Sequence, residues 1–136
     1  MSKRALQLAT AILACVPLST GLLTMLGVFD PLYRTLALPA APLLDSNLRF
    51  FGGIWFVVGL AFLTTIRNIE REAKLYRLLW GAIFFGGIGR IWSAYSVGAP
   101  PLPFIAFTGL ELAGAPLFIL WQNSVARHQG LAPKSD

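Results

Sequence analysis

The chain has 136 residues, 56% hydrophobic and 12% charged, and its 11 Lys and Arg against 6 Asp and Glu give a net charge of +5. Soluble chains carry roughly one-quarter charged residues, so this composition excludes a water-soluble domain able to cover its own surface. The basic excess does not point to nucleic acid either, because no basic face interleaved with aromatics offers a path for a phosphate backbone.

The apolar residues fall in four blocks, 5–28, 48–66, 75–97 and 103–122, each near the roughly 20 residues a helix needs to cross the hydrocarbon core. They predict an all-α integral membrane protein: one domain over 1–136, folded as an antiparallel up-and-down four-helix bundle, with a tail over 126–136. Lys3, Arg4, Arg67, Arg71, Lys74, Arg77, Arg127 and Lys134 fall on one side of such a bundle, and Arg34 and Arg49 on the other. By the positive-inside bias both termini are expected in the cytoplasm of a cell with an inner membrane. Cys15 is the only cysteine, so an intrachain disulfide or a cysteine-based zinc cluster is excluded. Ile12-Leu13-Ala14-Cys15 faintly resembles a lipoprotein cleavage box, but the apolar block continues to Val28 and reads as a retained span.

In the first span Pro17 cannot donate to the carbonyl of Leu13, and Ser19, Thr20 and Thr24 follow, so a kink satisfied by hydroxyls is expected. The connection over 29–44 is too apolar for a solvated loop and should lie in the interface. Asp30-Pro31 is a fitting start for a short surface helix over 31–38, which would be an amphipathic turn or a lid. Asp45, Ser46 and Asn47 are expected to cap the second span, with Arg49 one turn inside it and able to snorkel. The charged run 67–77 reads as a solvated helical extension in which Glu70 pairs with Lys74. Gly98-Ala99-Pro100-Pro101-Leu102-Pro103 is an uncharged, stiff turn that makes the third and fourth spans antiparallel neighbours. Trp80, Trp121 and Trp92 suit interfacial belts, Trp55 is harder to place, and His128 belongs to a frayed tail.

Two charges stand inside the last two spans. Arg90 lies seven residues before Val97 and Glu111 seven after Phe104. At 1.5 Å per residue both are about 10 Å below the helix ends and therefore level. The helical neighbours of Arg90 include Gly86, Gly87, Ser93 and Ala94, and those of Glu111 include Gly114 and Ala115. Small faces of this kind should point at other helices. Arg49, with Gly52 and Gly53 on its side, is expected to join them. The predicted site is then an outer-leaflet polar cluster of Arg90, Glu111, Arg49, Asn47 and Asp45. It either locks helix register or presents spare arginine donors to a carboxylate or phosphate. Pro116 should break the helix bond to Leu112 and bend the span just past Glu111.

No enzyme template is visible: the spans hold no histidine, no metal-ligand spacing and no phosphate-binding glycine loop, so neither a cofactor nor a metal is expected. The segments Leu44-Asp45-Ser46-Asn47-Leu48-Arg49-Phe50-Phe51-Gly52-Gly53-Ile54-Trp55, Arg77 to Arg90, and Pro100-Pro101-Leu102-Pro103-Phe104 through Pro116 resemble a family of small bacterial four-helix membrane proteins, known only as a domain of unknown function. The resemblance covers most of the chain. It implies a four-span inner-membrane protein, draws attention to Asn47, Arg49, Arg90 and Glu111, and supplies no activity. Two functions are consistent with this sequence. One is binding or transport of an anionic or amphipathic small molecule or lipid at the cluster. The other is an accessory subunit of a membrane complex, or a homo-oligomer, in which the charges serve packing alone. Membrane lipids are expected partners in both.

Overall fold

The structure, a computed structural model, describes residues 2–27 and 41–131, and among them it holds helices and turns but no strand. Helix α1 is Lys3–Met25, α2 is Pro42–Ile66, α3 is Ala73–Val97, and α4 is Leu102–His128. Helices α1, α2 and α4 are long and apolar enough to cross a membrane, by length and composition. The proposed surface helix over 31–38 lies outside the described residues, as do Asp30, Arg34 and the end of the tail. The chain divides into two compact units, Leu8–Arg67 and a second that joins the start of the chain to the residues from Asn68 onward.

In the Leu8–Arg67 unit, α1 and α2 run antiparallel: Leu18 lies against Gly59, Gly21 against Gly52 and Phe56, and Met25 against Gly52. Glycine makes this approach possible. A Cβ at Gly21 would stand 2.5 Å from the Phe56 nitrogen and 2.8 Å from the Gly52 oxygen, and one at Gly52 would stand 2.7 Å from the Met25 nitrogen. Where lipid surrounds the helices, such backbone contact replaces the hydrophobic effect as the source of helix pairing. Trp55 is placed by its indole, which donates to Thr20 Oγ1 at 3.1 Å. Helix α1 continues through Pro17. The hydroxyls of Ser19 and Thr20 donate to the carbonyls of Cys15 and Val16 at 2.7 and 2.6 Å, one turn back, as helical side chains do in apolar surroundings.

The cap expected of Asp45, Ser46 and Asn47 is corrected. Helix α2 begins at Pro42 with Ala41 as its N-cap and no side-chain capping bond. Proline is favoured there because its fixed φ and missing N–H suit a first turn. Pro42, Leu43 and Leu44, expected in the loop, are therefore helical, and Asp45 lies inside the first turn.

In the second unit α3 and α4 are also antiparallel, with Arg77 against Asn123, Trp80 against Phe118 and Gly87 against Leu112. Gly98, at φ +123°, ends α3, and Pro101 is the N-cap of α4, so the stiff turn is as short as its prolines suggest. Trp80 is not an interfacial belt residue: it is buried and stacks on Phe118 with centroids 4.6 Å apart. Helix α4 also runs beyond 122 to His128, because Val125 and Ala126 are buried there.

The charged run 67–77 departs most from expectation. Residues 67–71 form a turn, with Ile69 and Glu70 buried, and the expected helical extension is found only over 73–77, the start of α3. Glu70 pairs with Lys3 at 2.8 Å, in the first turn of α1, and not with Lys74. Gln122, fully buried in α4, donates to the Ile69 carbonyl at 2.9 Å. The turn is thus bound to both ends of its unit by long-range contacts that no local spacing encodes.

Burial acts to raise the Glu70 carboxyl. The hydrogen bond from Lys3, a backbone bond and the charges of Lys3 and Arg71 outweigh it and hold the group below the usual carboxylate range. A carboxyl lowered on folding stabilises fully above its unfolded value, here 4.5, and that stabilisation is lost as pH falls through the folded value. The melting temperature in detergent should therefore drop on acidification from about pH 6 to about pH 3.5, with a smaller drop in Glu70→Gln. An identical acid slope in that variant would remove Glu70 from the explanation.

Candidate functional site: the Arg90–Glu111 pair

Arg90 and Glu111 meet across the α3–α4 contact. Arg90 Nε donates to Glu111 Oε1 at 3.1 Å and stands 2.9 Å from Oε2. Gly87, one turn before Arg90, lets the helices close to this distance: a Cβ there would come 3.0 Å from Leu112 and 3.1 Å from the Glu111 Cβ. The guanidinium carbon lies 5.5 Å from the centroid of the Phe104 ring, within the range of cation–π attraction. Thr108 bonds the Phe104 carbonyl at 2.8 Å and so turns its hydroxyl into its own helix.

The pair is asymmetric. The Glu111 side chain is 14% exposed and that of Arg90 41%. Glu111 Oε2 is buried and, apart from its ionic contact with Arg90, accepts no hydrogen bond among the described residues. Arginine presents five donors in a planar fork, and here the Nε edge is committed to the carboxylate. The two terminal amino groups make no hydrogen bond among the described residues, on a side chain that is 41% exposed. The cation is therefore fixed by a carboxylate on one edge and a ring on one face, while its outer edge stays open to an anion.

Glu111 sits in an unusual piece of backbone. Residues Leu110–Gly114 form one π-helical turn between the α-helical halves of α4. Pro116 follows after one residue, Ala115. Its ring would strike the Leu112 carbonyl in a regular helix, and widening the preceding turn draws that carbonyl away. The expected break at Pro116 is thus taken up by a π turn, a form that recurs at functional sites.

Gly114 and Ala115 are buried, so the Glu111 face does turn inward. The face of Arg90 does so only in part. Gly87 is packed, whereas a Cβ at Gly86 would meet nothing within 4 Å, and Ser93 and Val97 are exposed. The reading of that whole face as helix contact is corrected accordingly.

The remaining predicted site residues lie in the Leu8–Arg67 unit. Arg49 donates from Nε and Nη2 to Asp45 at 2.7 and 3.1 Å, one turn away on the same helix. Its guanidinium also covers Gly27, which ends α1 at φ +80° and could not carry a Cβ there without overlap. A cation at that end of α1 suits the helix dipole. Asn47 is exposed near the start of α2. Sequence reasoning placed Gly87 against a neighbouring helix, as it is, but missed the Phe104 ring beneath Arg90. Cation–aromatic contact across two helices leaves no spacing signal, although Pro116 did signal irregular backbone near Glu111.

Together these features define a helical protein of membrane-spanning composition with an Arg–Glu pair between two antiparallel helices. The chain belongs to the family described as a domain of unknown function (DUF4345), which matches residues 5–122. No curated protein and no solved structure matches it.

Proposed function

We propose that this chain is a four-span protein of a bacterial inner membrane, with both termini cytoplasmic, that binds or carries an anionic or amphipathic small molecule or lipid at Arg90. The observation that carries this reading is the half-exposed guanidinium held by Glu111 and Phe104, with its two amino groups uncommitted among the described residues. A charge at membrane depth is costly and is retained where it pairs or does work. Here one edge pairs and the other is open. Thermal-shift measurements in detergent, with organic carboxylates, phosphate esters and anionic lipids as probes, should show stabilisation of the wild type but not of Arg90→Gln or Glu111→Gln. Equal shifts in all three proteins would sink the proposal.

A second reading, an accessory subunit in which the charges only fix helix register, draws support from the tight seating of Glu111 against Gly87. It predicts that the swap Arg90→Glu with Glu111→Arg recovers what each single variant loses, since packing needs only a pair of opposite charges.

A further inference from the structure

We infer that the ligand at Arg90 is an anionic phospholipid of the surrounding bilayer, its phosphate on the two free amino groups and one acyl chain lying along an open lane of small residues on α3. The inference rests on the reading of Arg90 as an anion site and adds what lies beside it. Ala82, Gly86, Gly89 and Ser93 follow one another at steps of four, three and four residues and so share one helix face. All are exposed, and a Cβ at Gly86 or Gly89 would meet nothing within 4 Å. Phe85, 72% exposed, precedes Gly86 on one border of the lane, and Arg90 follows Gly89 on the other. Two bare glycines thus form a trough between an aromatic wall and a cationic one.

The lane is polar toward the Val97 end, where Arg90 and Ser93 stand, and apolar toward the Ala73 end, where Gly86 and Ala82 stand. A free anion would use the first half alone. An amphipathic anion matches both: its charge meets the guanidinium fork, and its chain gains dispersion contacts along backbone that no side chain shields. Charge also selects against a parallel second copy of α3 as the occupant, since that copy would bring its own Arg90 to the same level and set two cations side by side.

The test is native mass spectrometry of the full chain in detergent, titrated with phosphatidylglycerol, phosphatidylcholine and glycerol phosphate. The wild type should bind phosphatidylglycerol about tenfold more tightly than phosphatidylcholine, and glycerol phosphate only weakly. Gly86→Leu, or Gly89→Leu should the first fail to fold, fills the lane without touching the ion pair and should weaken phosphatidylglycerol about tenfold, leaving the weak glycerol phosphate binding unchanged. The double variant Arg90→Gln with Glu111→Gln should lose both. Undiminished phosphatidylglycerol binding by the glycine variants, with loss in the double variant, would overturn the lane and leave the anion site standing. Undiminished binding by the double variant would remove the anion site as well. Glycerol phosphate binding as tightly as the lipid would assign the site to a free anion, and a wild-type dimer abolished by Gly86→Leu would assign the lane to a second copy; either result overturns the inference.

Discussion

Gly52→Val should abolish the folded α1–α2 pair. The new Cβ would fall 2.7 Å from the Met25 nitrogen and 3.0 Å from the Gly21 oxygen, and these are backbone atoms that cannot rotate away. Relief requires the two helices to separate, which also removes the contacts at Gly21 and Gly59 and the Trp55–Thr20 hydrogen bond. Overpacking a core ordinarily costs about 1–3 kcal/mol where side chains can yield, and this site should exceed about 3 kcal/mol because the atoms in the way are backbone or, at Thr24, a Cβ that no rotamer change moves. The internal control is Gly86→Ala or Gly89→Ala in α3. Open space surrounds both, so alanine there should be neutral or stabilise by up to about 1 kcal/mol through helix propensity. Unfolding in mixed micelles followed by tryptophan fluorescence would compare the two sets. Equal melting of Gly52→Val and wild type would mean that the helices do not approach through these glycines.

Removal of either member of the Arg90–Glu111 pair should have unequal consequences. Arg90→Ala strands a largely buried carboxylate whose Oε2 has no hydrogen bond of its own, and breaking a buried pair from that side costs about 3 kcal/mol. Glu111→Ala leaves a guanidinium that is 41% exposed, still rests against Phe104, and can extend along its stem toward polar surroundings. That loss should be nearer about 1 kcal/mol. Combining the two substitutions should recover much of what Arg90→Ala loses, because no uncompensated charge then remains. A double-mutant cycle in detergent measures the coupling directly. If Glu111→Ala proved the more damaging single change, the arginine and not the carboxylate would be the dependent partner.

Much of the architecture was legible along the chain, and the errors have a common cause. Blocks of apolar residues set where the helices run, since a segment that long and that poor in charge has few stable forms other than a helix in lipid. Helix ends were less visible. Pro42 starting α2, and Val125 and Ala126 carrying α4 to His128, depend on what packs against those turns. The loop at 67–71 shows the limit most clearly. Its charges looked solvated by every local criterion, yet Glu70 is buried because Lys3 and Gln122, remote in sequence, complete the group around it.

For the site, the sequence by itself determined that Arg90 and Glu111 are costly charges at one level on neighbouring antiparallel helices. Counting residues from a stiff turn fixes depth, and depth is a one-dimensional property. The tertiary structure decided what counting could not: which edge of the guanidinium the carboxylate occupies, that Phe104 lies beneath it, and that the turn holding Glu111 is widened before Pro116. It also divided the glycines of α3 into Gly87, closed against α4, and Gly86 and Gly89, open to the surroundings. A glycine in a sequence marks only a missing side chain. Whether the space it leaves receives another helix or stays open depends on the angle at which the neighbouring helix crosses, and that angle is set by the whole contact at once.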